Sequence, residues 1–320
     1  AHTPHVGLLF LVATLFSFWR FRPSTIITVH DSYQNFKLRN RLMFIPVFAA
    51  FGRVICCGQA SLASFPAFYK WLAGERLGAV QNGLDIDRVD RVSANARRKP
   101  HSNFLIIAIS RLVEIKNPFA VLTAFQAAAV PDSRLIYVGD GVLRSALEAM
   151  ASEDGREDSI KFTGLIPREH GVERLVSADL FISTSRGEGL PVAVLEAMSS
   201  RCPVLLSDIP PHREIAEDDD FISLVSLDDV PGLAREIERF SSMSLSERVE
   251  IGHKCRALVE QRFSLAAMHA GYSDIYAQML PGRSPSFLEQ SEQPASVGNE
   301  PTYPNFAPIR GQIIEDEKKR

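Results

Sequence analysis

Two glutamates eight positions apart, Glu188 and Glu196, are the residues whose type and spacing point most directly to chemistry. A carboxylate accepts hydrogen bonds from pairs of hydroxyl groups, which sugars and riboses supply. The apolar run Ala178 to Ser183 predicts a buried strand, and Pro191 is predicted to open a helix after a loop whose glycines would admit a ligand close to the backbone. The N-terminus of that helix suits a phosphate because its N–H groups carry a partial positive charge. The alternative is a plain strand–loop–helix connection with two solvated glutamates.

A second set of candidate residues follows another predicted strand. The run Phe104 to Ser110 is apolar throughout, as expected of a strand buried on both faces of a parallel sheet. Arg111 and Lys116 come next, before a predicted helix from Pro118 to Ala129. Two cations at a strand end can neutralise a diphosphate, although an isolated pair of this kind is more often an ordinary pair of surface cations.

The surrounding sequence alternates predicted strands and helices from Asn103 to about Val225, the pattern of a doubly wound sheet. We predict five strands here, because three further strand patterns accompany the two above. These cover Leu135 to Gly141, Ile160 to Gly164 and Cys202 to Ser207. Ligands of open α/β sheets bind at the carboxyl ends of the strands, where the candidate residues fall.

The segment Ser185 to Ala197 resembles the E-x7-E signature of retaining nucleotide-sugar glycosyltransferases of the GT-B fold, family 4. This resemblance implies that Glu188 contacts sugar hydroxyls and Glu196 the nucleotide ribose. It also implies that the backbone of Gly189, Leu190 and Pro191 holds the donor near its phosphate.

The cations resemble the G-R-L…K-G element of that family, with Ser110 and Asn117 in place of the two glycines. The resemblance implies that Arg111 and Lys116 bind the donor diphosphate and act in catalysis together with Glu188. During transfer they would stabilise the negative charge that grows on the leaving phosphate.

Weaker resemblances complete the donor side. Gly139 and Gly141 resemble the V-G-x-G turn that lies beside the donor in that family. Gly164 resembles the family's F-x-G segment near the nucleotide base. The run Pro210-Pro211 and Glu214 resemble a G-x-x-E turn whose glycine is replaced by prolines.

On the other side, the strand Thr25 to Val29 ends at His30, which resembles the catalytic histidine near the transferred sugar. The segment Leu77 to Asp85 resembles the turn before the interdomain linker. Asp85-Ile86-Asp87 also matches a D-x-D metal motif, which we reject because no other carboxylate or histidine cluster accompanies it.

The expected fold is α/β of the GT-B type, with two Rossmann-like domains that face a cleft. The first residues, Ala1 to His5, resemble the middle of an acceptor domain, so the N-terminal domain is expected to be incomplete. Four parts are predicted. Residues 1–98 form a partial acceptor-side domain and residues 99–264 a nucleotide-sugar-binding domain. Residues 265–282 form a helix that packs back towards the first domain, and residues 283–320 a disordered tail.

Charge is distributed unevenly along the 320 residues. Residues 1–100 hold 13 Lys or Arg against 5 Asp or Glu, a net +8, which leaves −11 for residues 101–320. Such a basic domain suits an anionic bilayer surface, whereas scattered basic residues without a recognised module argue against nucleic-acid binding. For the apolar run Val6 to Phe18 we favour a buried core helix over a segment that dips into a membrane interface.

The sequence thus predicts a retaining glycosyltransferase that moves a sugar from a nucleoside-diphosphate sugar to a glycan or lipid-linked acceptor in cell-surface polysaccharide synthesis. No cofactor and no metal are expected. The four cysteines lack metal spacing and indicate a reduced, cytoplasmic protein, with the cytoplasmic face of the membrane as a further location. The alternatives are a nucleotide-sugar epimerase and a truncated donor-binding module without activity.

Overall fold

Two parallel sheets form the framework of the protein in a computed structural model. The structure describes residues 1–16, 22–96, 103–153, 155, 157–217 and 219–279. Ala1–Leu280 form one compact unit. The tail predicted to be disordered and the end of the predicted last helix lie outside the described residues.

The first sheet has the strand order β1-β2-β3, and we call it with its helices the first lobe. Its strands are β1 (Ile26–Val29), β2 (Arg53–Cys56) and β3 (Leu77–Ala79). Its helices are α1 (Pro4–Ala13), α2 (Leu38–Ala50), α3 (Gln59–Ser64) and α4 (Ala67–Ala73). Aromatic side chains, among them Phe44, Phe48, Phe65 and Tyr69, fill the core between these elements.

The second sheet has the order β6-β5-β4-β7-β8-β9, and we call it with its helices the second lobe. Its strands are β4 (Phe104–Ile109), β5 (Ser133–Val138), β6 (Ile160–Phe162), β7 (Leu180–Ser183), β8 (Val204–Ser207) and β9 (Ser223–Val225). Strand order reverses between β4 and β7, which pair directly. Open α/β sheets bind their ligands outside such a reversal point.

Helices cover both faces of this sheet, and each face has its own apolar core. They are α5 (Ile86–Asn95), which follows the connection between the lobes, and α6 (Pro118–Ala128), α7 (Arg144–Glu153), α8 (Arg168–Ser177), α9 (Val192–Ser199), α10 (Pro210–Ala216), α11 (Val230–Ser242) and α12 (Leu245–Arg262). The last described helix, α13 (Leu265–Met279), contacts the first lobe, where the Tyr272 hydroxyl lies 3.3 Å from Thr28 Oγ1.

Three sequence expectations are wrong. The sheet has six strands rather than five: the sixth, the edge strand β9, is only three residues long and lies in the short apolar segment 221–225, which a serine interrupts. The helix expected at Pro191 begins at Val192, and Pro191 is its N-cap. The helix expected to be buried is exposed: in α1 only Pro4 and Gly7 are buried, while Leu9 and Val12 are 68% and 66% exposed.

Asp85 illustrates why the metal motif is misleading. Its carboxylate accepts a hydrogen bond from the Arg88 backbone N–H at 2.9 Å and so caps α5. No helix among the described residues is long and apolar enough to cross a membrane.

Candidate active site

The loops after β4 and β7 lie side by side at the reversal point and are joined by hydrogen bonds. The Arg186 N–H donates to the Ile115 carbonyl at 2.8 Å, and the Thr184 hydroxyl donates to the Asn117 carbonyl at 2.8 Å. Asn117 has φ of +48°, a left-handed conformation that non-glycine residues rarely adopt and asparagine tolerates best. This conformation explains why asparagine can occupy position 117, where the family that the sequence resembles has glycine.

These loops bring Lys116 and Glu188 into contact. Lys116 Nζ lies 2.5 Å from Glu188 Oε1, and the side chains are only 17% and 12% exposed. Charges with so little solvent attract each other more strongly than a surface pair does. The predicted phosphate-binding cation and the predicted sugar-binding carboxylate therefore form one site.

Glu196 faces a different set of partners. Its Oε1 accepts a hydrogen bond from Arg88 Nη2 at 3.0 Å and another from Arg168 Nε. The Glu196 side chain is 9% exposed, so both guanidinium groups compensate a largely buried charge. Arg88 comes from α5 and Arg168 from the start of α8, and neither was identified from the sequence.

A cavity of about 270 Å³ lies next to Arg168 and Glu196. Arg111, Gly139, Arg168 and Glu196 line it together with an apolar wall of Ile109, Val138, Leu165, Ile166 and Pro167. An apolar wall with a carboxylate and cations at its rim can hold a flat ring attached to a hydroxylated, phosphorylated group. Three predicted site residues, Arg111, Gly139 and Glu196, thus share this cavity.

The glycines predicted to admit a ligand instead make room for neighbouring backbone. A Cβ on Gly189 would lie 2.2 Å from the His30 carbonyl oxygen, so this glycine admits the backbone of the first lobe. Gly139 has φ of +132°, and a Cβ there would lie 2.0 Å from the Ser110 carbonyl oxygen. Gly139 N–H donates to the Gly164 carbonyl at 3.0 Å, and Gly141 packs against the Leu112 backbone.

Leu190 and Pro191 are both buried, and the Leu190 side chain belongs to the core. A donor could therefore meet this segment only through its backbone.

The first lobe reaches the site through the segment after β1. The Ser32 hydroxyl donates to the Glu188 carbonyl at 2.7 Å, and His30 is adjacent to Gly189. The His30 imidazole stacks on His2, with His2 Nδ1 3.0 Å from His30 Nε2. Partial burial, with the neighbouring His2 as a second cause, lowers the pKa of His30.

Two residues of α10 add contacts that the sequence did not predict. Glu214 reaches the first lobe, where its carboxylate oxygens accept the backbone N–H groups of Gln59 and Ala60, both at 2.7 Å. His212 is fully buried, and its Nδ1 lies 2.8 Å from the Ser207 carbonyl oxygen. His212 Nε2 has no hydrogen-bond partner among the described residues.

No group of three or more His, Cys, Asp or Glu side chains that could hold a metal occurs in the described ranges. All four cysteines are buried thiols. Burial raises the pKa of Cys56 to about 12 and that of Cys57 to about 11.

Comparison with known proteins agrees with this architecture. The family model "Glycosyl transferases group 1" matches residues 90–257, more than half of the chain. The chain therefore belongs to the group 1 glycosyl transferases and has an α/β fold of the GT-B type.

Among curated relatives, the putative glycosyltransferase EpsD of Bacillus subtilis is 30% identical over 157 residues, 47% of this chain and 39% of that protein. A GDP-mannose:cellobiosyl-diphosphopolyprenol alpha-mannosyltransferase of Xanthomonas campestris is 28% identical over 179 residues, 53% of this chain and 45% of that protein. The chain thus matches less than half the length of either relative.

Among solved structures, Anabaena HepE in complex with UDP and glucose superposes with a TM-score of 0.72 at 19% identity. The match covers 87% of this chain and 77% of that one. At this identity the likeness supports the fold alone.

Proposed function

We propose that this chain is a retaining glycosyltransferase that moves a sugar from a nucleoside-diphosphate sugar to a glycan or lipid-linked acceptor. The observation that carries the proposal is the convergence of Lys116 and Glu188 beside the cavity that contains Arg111 and Glu196. Each pair combines a cation for phosphate with a carboxylate for hydroxyl groups.

The contacts support one orientation of the donor. The diphosphate lies between Arg111 and Lys116, the sugar hydroxyls meet Glu188, and the ribose meets Glu196. The base then occupies the apolar part of the cavity, as expected for a flat ring.

In this orientation the acceptor hydroxyl attacks the anomeric carbon from the face that the diphosphate leaves. The bond from that carbon to the phosphate oxygen breaks, and the released phosphate takes the acceptor proton. Arg111, Lys116 and the N-terminus of α9 stabilise the negative charge on the leaving group. These groups supply the charge stabilisation of the step, so we propose that no metal or other cofactor takes part.

The acceptor and location are proposed from the relatives. Curated relatives carry names that include GDP-mannose and UDP-Gal donors and diphosphopolyprenol or diphosphoundecaprenol acceptors. We therefore propose an acceptor of a cell-surface polysaccharide pathway, used at the cytoplasmic face of a membrane.

The test is transfer from a panel of nucleoside-diphosphate sugars, with and without a diphosphopolyprenol-linked glycan. We expect nucleoside diphosphate release that depends on the acceptor and is lost in Lys116→Ala. Lys254→Ala is the matched control, because Lys254 pairs with Glu250 on the exposed face of α12. Conversion of the sugar without acceptor would instead indicate an epimerase, and tight diphosphate binding without turnover a non-catalytic module.

A further inference from the structure

An exposed surface of the first lobe combines large apolar side chains with basic ones. We call it the α2–α4 surface, and it consists of Lys37, Leu38, Arg39, Leu42, Phe68 and Trp71. Its four apolar side chains are 70%, 56%, 49% and 76% exposed, in the order Leu38, Leu42, Phe68 and Trp71. Lys37 and Arg39 are also exposed.

These side chains lie together because α2 and α4 pack against each other. Leu38 and Leu42 are four residues apart and so share one face of α2. The Tyr69 hydroxyl of α4 donates to the Arg41 carbonyl of α2 at 2.6 Å and joins the two helices next to Phe68 and Leu42 in the sequence. The rings of Phe68 and Trp71 lie 6.3 Å apart.

The net charge around this surface is positive. Residues 31–76 contain six Lys or Arg against two Asp or Glu, a net +4, whereas residues 101–320 carry a net charge of −11. An anionic surface would therefore attract this part of the first lobe and repel the second lobe. The cores of protein interfaces are depleted in lysine, while membrane-interface surfaces combine Lys and Arg with Leu, Phe and Trp.

We infer that the α2–α4 surface docks the protein on an anionic lipid bilayer. This inference deepens the proposed function and rests on it, since a lipid-linked acceptor resides in a bilayer. The surface begins beside the candidate active site. Asn35, two residues before Lys37, lies close to Gly187. A Cβ added to Gly187 would be only 2.3 Å from Asn35 Oδ1. Docking would bring the first-lobe side of the cleft to the headgroups.

The first measurement is partition of the full chain onto phosphatidylcholine vesicles with and without phosphatidylglycerol. We expect binding only to the anionic vesicles, weakened by salt. Arg39→Glu and Trp71→Ser should each lower the partition coefficient about fivefold or more. Val142→Ser is the matched control, because Val142 is 86% exposed in the second lobe, outside the α2–α4 surface.

The second measurement reports on position. In a Trp19→Phe background Trp71 is the sole tryptophan, and its emission should shift to the blue with anionic vesicles only. Equal binding to both vesicle types, no binding, or wild-type binding by both surface variants would overturn the inference. So would a dimer that Trp71→Ser converts to a monomer, because a second copy would then be the occupant.

Nucleoside diphosphate affinity of the same variants separates this inference from the proposed function. Unchanged affinity shows that each variant is folded. Vesicle binding by a chain that binds no nucleoside diphosphate would refute the proposed function and leave the docking surface standing.

Discussion

Lys116 Nζ lies 2.5 Å from Glu188 Oε1 at the reversal point of the second sheet, so the cation proposed for phosphate is already paired with a carboxylate. In the proposed orientation, donor binding would redirect the ammonium to the diphosphate and the carboxylate to sugar hydroxyls. The ion pair would then compete with the ligand, while it compensates both charges in the structure.

This competition predicts opposite effects of Glu188→Gln on two ligands. Affinity for the nucleoside diphosphate alone should rise roughly fivefold, about 1 kcal/mol, because a carboxylate that repels the phosphate and occupies Lys116 is removed. Transfer should fall, because an amide is a weaker acceptor for the sugar hydroxyls. Calorimetry and a transfer assay measure the two quantities, and a loss of diphosphate affinity would contradict the competition.

Glu196 should contribute to affinity through the ribose hydroxyls. Glu196→Ala is expected to weaken nucleoside diphosphate binding about tenfold, the loss of one charged hydrogen-bond partner. The stronger test uses a ligand cycle, in which the wild type binds a nucleoside diphosphate better than its deoxyribose analogues and the variant binds them equally.

Glu169→Gln is the control for Glu196→Ala. Glu169 also approaches Arg88, at 3.8 Å, but its side chain is 52% exposed and does not line the cavity. Retained discrimination in Glu196→Ala would place the ribose contact elsewhere.

The sequence predicts the sheet that carries the site because its strands are apolar runs of the right length. The runs at Phe104 to Ser110 and Ala178 to Ser183 become β4 and β7, and the motifs follow them at the carboxyl ends. Parallel strands then bring Lys116 and Glu188 together, although 72 residues separate them. Apolar runs therefore suffice to predict which residues meet wherever the order of strands in the sheet determines their neighbours.

Sequence patterns do not predict contacts between side chains of elements that pack together without pairing in one sheet. Arg88 reaches Glu196 only because α5 packs on the second lobe, and Gly189 is needed because His30 approaches it from the other lobe. The exposure of α1 was missed for another reason. Its sequence is apolar on every side, so periodicity indicates no buried face.

Glu214 should couple the two lobes, because its carboxylate holds two backbone N–H groups of the first lobe. Glu214→Ala is expected to lower kcat for transfer while leaving nucleoside diphosphate affinity unchanged, since the donor contacts belong to the second lobe. Both backbone hydrogen bonds and the one that Gln81 Nε2 donates to Glu214 at 3.0 Å would be lost. Stability should therefore fall by roughly 2 to 3 kcal/mol.

The matched control is Glu217→Ala. Glu217 pairs with Arg262 in the second lobe and its side chain is 59% exposed, so kcat should be retained. A parallel fall in kcat and in diphosphate affinity for Glu214→Ala would indicate a general structural role instead of coupling between the lobes.

His212 should make stability depend on pH. Burial lowers its pKa to about 4, and the hydrogen bond to the Ser207 carbonyl only partly opposes this. The unfolded chain, with a histidine pKa near 6.5, then binds more protons than the folded chain between about pH 4 and 6.5. The associated stability is therefore complete above about pH 6.5 and falls by roughly 3 kcal/mol on acidification to about pH 4.

His212→Phe should remove this part of the acid dependence, because phenylalanine has a similar shape and no titrating group. Its stability at neutral pH should also fall, since the hydrogen bond to Ser207 is lost, so the slope of stability against pH is the decisive quantity. Urea unfolding from about pH 4 to 7 measures it, with His253→Phe, at an exposed position of α12, as the control for loss of a histidine. Equal slopes for the wild type and His212→Phe would show that another group causes the acid sensitivity.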